Sequence, residues 1–480
     1  MFLRKAKPQT RDALDAVLFN WTEHDEFTVR DLLNGGVAII GRSGSGKTSS
    51  SGKILGRSIV RHGNSGGLIL SAKPDDLSMW EGIFREAGRE GDLIVFNPES
   101  GRRFNILNYV MQCFGHTREI TKVITTIGET LRSADADATE NADFWSKEQE
   151  RMIYNAVEVV KLATGTVHAP HLQRFITGAA HSPEQLKSEE WRKDFHCELM
   201  RRATDKSKSP MEEHDFAQAA DYWLSELPTM ADKTRSSITT GVMGILHVFN
   251  TGIVRELMST ATNVSPDDMF AGKWIIVDMP PSEWGDIGLF VAAAWKYITQ
   301  RRNLRRDARS GDAINVIWCD EAQQFVNSHD SRYLAQCRSH LGCMVYLTQS
   351  LHSYYATLHG ESGRHQADAL LANAGHKVLH ALGDVQTAEW ASGLIGKSLQ
   401  TFTGGSMAPV MDVWEELAGK SQYTGNFSQH YELILQNNVF LNGLRTGGHA
   451  NGLICDAIVI RSGEPFRWGG NYLRVAFSQR

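Results

Sequence analysis

The sequence predicts an α/β protein: a mostly parallel sheet covered on both faces, with an all-α domain inserted into it. Three observations carry this. Short apolar runs rich in β-branched residues recur between longer helical stretches, as in parallel sheets buried on both sides. One of these runs leads straight into a glycine-rich loop and then a helix-compatible segment. Finally, the runs stop between about residue 112 and residue 235, where only helical patterns remain.

In chain order the expected strands are Val37–Ile40, Leu68–Leu70, Leu93–Phe96, Trp274–Val277, Ile314–Cys319, Cys343–Leu347, Lys377–His380 and Ile454–Ile460. Ser49–Arg61 suits the helix after the first strand. Within the gap, Met152, Ile153, Ala156, Val157, Val160 and Leu162 form a helical stripe, and Glu212–Leu227 is a second helix. A crossover this long needs structure of its own, so the gap reads as an insertion. The expected division is 1–111 for the first sheet segment, 112–235 for the insertion and 236–480 for the second sheet segment.

Composition narrows the function classes. With 50 Lys+Arg against 55 Asp+Glu, the formal charge is −5. That excludes a highly basic DNA-coating protein but not a local basic patch. The 6 Cys are scattered without a C-x-x-C pair, which speaks against a zinc ribbon or a disulfide scaffold and for a reducing compartment. No apolar stretch approaches the ~18 residues of a membrane helix, and the polar N-terminus does not read as a signal peptide. No integral membrane segment is expected, and the expected location is the cytoplasm, peripheral to the inner membrane through partners. His168 and His171 are spaced as H-x-x-H, but Pro170 lies between them and no acidic or Cys partner is near, so no zinc site is expected there.

The strongest motif is Gly41-Arg-Ser43-Gly44-Ser45-Gly46-Lys47-Thr48, a P-loop, followed by Ser49. Its glycines let the backbone curl so that N–H groups point inward at phosphate oxygens. The following helix offers its positive end to the same phosphates. Lys47 is expected on the β- and γ-phosphates of ATP and Thr48 on Mg²⁺. Downstream, Ile314–Cys319 ends in Asp320-Glu321, the Walker B pattern. Asp320 is the expected magnesium residue, and Glu321 the group that orients or deprotonates the attacking water. Gln349, at the end of the next strand, is either a γ-phosphate sensor or a helix-cap neighbour. Arg338 is either a surface arginine or a finger reaching a neighbouring subunit's nucleotide.

Together these residues resemble the HerA/FtsK superfamily of ring ATPases, and further segments resemble its conjugative branch, the type IV secretion coupling proteins of the TraG/TraD type. Leu68–Asp75, Val95–Leu107, Asp143-Phe144-Trp145, Lys377–Gly396 (through Asp384, Thr387, Ala388, Ser392 and Gly396) and Phe440–Gly448 are similar to stretches of that branch. The resemblance implies a RecA-like domain bearing an all-α domain and a homo-hexamer with ATP at its interfaces. It also implies a motor that drives DNA, single- or double-stranded, or a nucleoprotein through its pore, with relaxase, secretion-channel or effector proteins as partners. Carried over by position, Lys47, Thr48, Asp320 and Glu321 are the nucleotide residues, Gln349 the sensor and Arg338 the finger. Two features depart from the family. Members usually begin with a membrane-spanning hairpin, whereas a P-loop at residue 41 leaves no room for one. In addition, Lys73-Pro74 reverses the usual order, so Lys73 receives no nucleotide role.

The missing hairpin motivates an alternative: a soluble ATP-binding oligomeric module that organises an effector or nuclease in a mobile-element or defence system. Arg301, Arg302, Arg305, Arg306 and Arg309 share a wide helical face, either as a DNA- or subunit-facing patch or as a solvated helix end. Asp232–Ser237, with Lys233 and Arg235, reads as a polar boundary loop. The 12 Trp read as packing residues.

Overall fold

The computed structural model describes residues 12–129, 142–327, 329–358, 360–407 and 423–480. Its centre is a nine-stranded sheet. The thirteen strands of the described residues are β1 (Val17–Asn20), β2 (Glu26–Thr28), β3 (Val37–Ile40), β4 (Ser65–Leu70), β5 (Leu93–Phe96), β6 (Trp274–Val277), β7 (Ile314–Cys319), β8 (Gly342–Thr348), β9 (His376–Leu379), β10 (Lys397–Met407), β11 (Tyr423–Leu433), β12 (Ile454–Arg461) and β13 (Tyr472–Ser478). In space the large sheet runs β13-β12-β9-β3-β8-β7-β4-β6-β5. The seven strands from β9 to β5 are parallel, and β12 and β13 add an antiparallel edge. All eight strands read from the sequence are present. The two small hairpins, β1–β2 and β10–β11, and the edge strand β13 were not read, because their exposed faces break up the apolar run.

Alternation along each strand divides its side chains between two cores. Ala38, Ile40, Leu68 and Leu70 face one, while Val37, Ile39, Ile69, Trp274 and Trp318 face the other. On the second side Trp80 stacks on Trp274 and meets Trp318 edge-on, with ring centroids 6.0 and 5.1 Å apart. Gly56, in the helix Lys53–His62, comes so close that an added Cβ would sit 3.1 Å from the Trp80 ring. The tryptophans therefore seat the helix that follows the P-loop.

Between β5 and β6 the regular structure of the described residues is helical, apart from one antiparallel bridge, Phe104 to Thr262. That bridge closes a neck. Phe104 N–H donates to Leu257 O (2.7 Å), Asn105 N–H to Ala261 O (2.8 Å) and Asn263 N–H to Arg103 O (2.9 Å). The boundary expected at 235 falls inside the helix Asp232–Asn250, and helices continue to Phe270. Asp232–Ser237 is the first turn of that helix rather than a loop. Arg235 is occupied by Asp232 and by the Met230 carbonyl.

Four of the five clustered arginines face the insertion, and Arg309 is exposed. Arg301 and Arg305 both pair with Glu119, in the insertion helix Thr117–Glu129, and Arg305 also lies over the Phe114 ring. Arg302 pairs with Asp267 at 2.6 Å, and Arg302 and Arg306 both lie over Phe270. These cations fasten the helical block to the sheet.

Behind the sheet, Lys296 and Asp330 form a fully buried pair (Nζ to Oδ2, 2.7 Å), with Gln300 donating to the second carboxylate oxygen at 2.7 Å and Lys296 donating to Phe325 O. The pair ties the long helix Pro281–Asn303 to the turn after β7. Among the described residues, no single helix is long and apolar enough to cross a membrane.

Removing one partner of a buried pair leaves an uncompensated charge, which costs about 3–5 kcal/mol. Lys296→Met should therefore lower the unfolding free energy, measured by denaturant titration, by that amount. Lys296→Met with Asp330→Leu should recover most of the loss.

Candidate nucleotide-binding site

The strand order reverses direction around β3, which lies between β8 and β9 although the chain proceeds from it to β4. In open α/β sheets the crevice at the carboxyl ends of the strands at such a point is where ligands bind. Here the P-loop leaves β3, Asp320 and Glu321 leave β7, and Gln349 leaves β8, all at that edge.

The P-loop is built for close approach. Gly44 and Gly46 have φ of +72° and +84°, a region open to glycine at little cost. A Cβ on Gly46 would lie 2.2 Å from Cys455 Sγ, and one on Gly41 would lie 2.5 Å from Ser45 Oγ. Ser45 is buried, and its hydroxyl has no hydrogen-bond partner. An orphaned buried donor beside a curled backbone fits a phosphate oxygen. Ser43 is exposed at the rim.

Asp320 and Glu321 are buried, as is Lys47. Thr48 Oγ1 donates to Asp320 Oδ2 at 3.1 Å, which brings the two expected magnesium residues together. Lys47 Nζ lies 3.5 Å from Glu321 Oε1. Gln349 Nε2 donates to Glu321 Oε2 at 3.0 Å. Glu321 itself adopts φ +43°, ψ +51°, a left-handed conformation that costs a non-glycine residue about 1–2 kcal/mol. The turn aims its carboxylate into the crevice, and its N–H donates to Asp320 Oδ1 at 2.8 Å.

Two partners of Glu321 were missed. Lys73, given no nucleotide role from sequence, has its Nζ 3.1 Å from Glu321 Oε1 and 3.7 Å from Asp320 Oδ2. The reversed Lys-Pro order still places an ammonium in the site, because β4 lies beside β7 and ends at the same edge. A lysine just past the end of an apolar parallel strand was the available signal. Gln323 Nε2 donates to Glu321 Oε2 at 2.8 Å and is held by Thr348 Oγ1. Burial disfavours the Glu321 charge, but the Gln323 donor, Lys47, Gln349 and Lys73 more than offset it and hold its pKa at about 2. Asp76 accepts the N–H groups of Ala72 and Lys73, fixing the loop that carries Lys73. Its own pKa is raised to about 6 by burial and by the nearby Asp320 charge.

On the other side, residues at the ends of β9 and β13 lie against the residues that follow the P-loop. His380 Nε2 lies 2.7 Å from Ser51 Oγ, and Gln479 Nε2 donates to Ser49 Oγ at 2.7 Å. Arg338 is not at this edge. It precedes β8, whose seven residues span about 23 Å, and it donates to Asn34 Oδ1 at 3.2 Å. With Leu14, Arg30, Leu33 and His340 it lines an open pocket of about 580 Å³.

The family model described as "Type IV secretory system Conjugative DNA transfer" matches residues 10–271. The chain belongs to this conjugative DNA transfer family. A second model, "TraM recognition site of TraD and TraG", matches residues 316–429, so this is a P-loop ATPase-fold member of the TraG/TraD coupling-protein type. The solved structures agree on the fold. The unbound form of the bacterial conjugative coupling protein TrwB (TrwBdeltaN70) superposes with a TM-score of 0.61 at 13% identity, covering 98% of this chain and 90% of that one. TrwB in complex with ADP and Mg²⁺ gives 0.59 at 13% identity (99% and 91%), and TrwB with the ATP analogue ADPNP gives 0.58 at 13% (99% and 92%). No curated protein matches the sequence. Membership in the conjugative DNA transfer family does not favour the alternative of a partner-organising module.

For this family member, Gly46→Ala should weaken ADP binding at least tenfold by calorimetry, since the new Cβ meets Cys455 and the +84° φ is strained. Lys73→Met should move the acidic limb of the ATPase pH profile upward while ADP binding changes less, because Glu321 loses one of the two cations that depress its pKa.

Proposed function

We propose that the chain is an ATP-hydrolysing ring motor of conjugative DNA transfer, working as a homo-hexamer that moves DNA or a nucleoprotein through its pore. The observation that carries this is the meeting of Lys47, Thr48, Asp320, Glu321 and Gln349, from three separate strand ends, within hydrogen-bonding distance in one crevice. That TrwB, a coupling protein of the same fold, was solved with ADP and Mg²⁺ and with an ATP analogue supports the choice of nucleotide.

The residues divide the chemistry as follows. P-loop N–H groups and the Ser45 hydroxyl hold phosphate oxygens. Thr48 and Asp320 would hold magnesium, which would supply charge neutralisation to the phosphates when bound. In this structure Lys47 Nζ lies beside Glu321. The triphosphate draws Lys47 onto itself, and Glu321 loses a counter-charge. Its carboxylate then becomes a better acceptor for the proton of the attacking water. Gln349 and Gln323 hold that carboxylate in place, and Gln349 is within reach of the γ-phosphate end.

Arg338 serves the neighbouring subunit. It lies a full strand length from its own crevice, at the opposite edge of the sheet, so in a ring it faces the next subunit's nucleotide. Residues 316–429 are the proposed contact for an accessory protein of the transfer complex, which would bring the motor to the membrane.

Lys47→Ala should abolish ATPase activity. Glu321→Gln should retain ATP and lose turnover by about 10²–10⁴-fold. Arg338→Ala should lose about 10³-fold or more while binding ATP normally, and mixing it with Lys47→Ala protein should restore part of the activity through mixed interfaces. ATPase activity in assembled wild-type protein that ignores both single- and double-stranded DNA would sink the motor reading.

A further inference from the structure

The catalytic groups fix the direction in which a nucleotide lies. Glu321, Gln349, Asp320 and Lys73 stand on the β8–β7–β4 side of β3. A triphosphate with its γ end there must send its nucleoside the other way along the P-loop, toward β9, β12 and β13. What meets the P-loop on that side is specific. Gln479, just past β13, uses both ends of its amide: Nε2 donates to Ser49 Oγ at 2.7 Å, and Oε1 accepts from Gly448 N–H at 2.7 Å.

The loop Thr446-Gly447-Gly448-His449 is shaped around that amide. Gly447 and Gly448 have φ of +81° and +73°. A Cβ on Gly447 would lie 2.3 Å from Gln479 Oε1, so glycine is required for the amide to fit. Above Gly448 the position is open, with nothing within 4 Å of an added Cβ, and His449 beside it is exposed. The loop is pinned to β12 by the Thr446–Cys455 bridge, and Cys455 in turn packs on Gly46. The result is a polar amide and an open backbone shelf at the end of the P-loop remote from Glu321.

The geometry points to a nucleoside subsite here: Gln479 and the Gly447–Gly448 shelf hold the sugar-and-base end of the bound nucleotide, with the Gln479 amide exchanging its hold on Ser49 for a hydroxyl of the sugar. This deepens, and rests on, the nucleotide-motor reading above. The rival role for Gln479 is a brace for the P-loop, which would affect every phosphate ligand alike.

The test compares two probes on the full chain by calorimetry: ADP, and inorganic tripolyphosphate, which has no nucleoside. Gln479→Ala should weaken ADP about tenfold and leave tripolyphosphate within twofold. Gln479→Glu, which keeps the size but brings a negative charge, should weaken ADP further. In steady state the loss should fall on KM for ATP rather than on kcat, and thermal melting of both variants should match wild type. Equal weakening of ADP and tripolyphosphate, or no weakening of either, would overturn the subsite. Wild-type protein that binds tripolyphosphate but not ADP would overturn it too. Wild-type protein that binds neither would sink the nucleotide reading itself, and the subsite with it.

Discussion

One buried carboxylate organises the crevice. Glu321 carries its charge where water is scarce, on a backbone turn that few side chains tolerate. That is sustainable only because two ammonium groups and two amides from four other places in the chain converge on it. Each of those groups is also one that a phosphate or its water would recruit. The charged groups of the crevice thus neutralise one another.

The scaffold keeps these groups in register. β3, β4, β7 and β8 lie side by side and are buried on both faces, so the ends of all four strands are fixed relative to one another by two cores. Lys296 and Asp330 hold the turn after β7 from behind. Three tryptophans hold the helix after the P-loop from the opposite face. The insertion is coupled to this frame at two places: a hydrogen-bonded neck at Phe104 and Thr262, and the arginines that grip Glu119 and Asp267. The helical block thus joins the helix Pro281–Asn303, whose Lys296 reaches the turn after Glu321.

The two edges of the sheet carry different groups. The carboxyl edge gathers the nucleotide groups. The opposite edge presents Arg338 beside Asn34 and an open pocket.

The sequence alone was enough for the parallel sheet, its eight core strands, the inserted helices and the P-loop–Walker B pair. Strands buried on both faces are written as unbroken apolar runs, and phosphate chemistry demands a fixed local string of residues. The hairpin β10–β11 and the edge strand β13 escaped because exposed strands carry mixed side chains. The boundary near 235 escaped because a helix does not announce which domain it packs on. Lys73, Gln323 and Gln479 were decided only by the tertiary fold. Lys73 enters because β4 lies beside β7, Gln323 because the turn after Glu321 doubles back, and Gln479 because β12 and β13 fold against the P-loop. Local periodicity encodes what one segment buries. Which distant segment comes to lie beside it is settled by strand order, which no local pattern records.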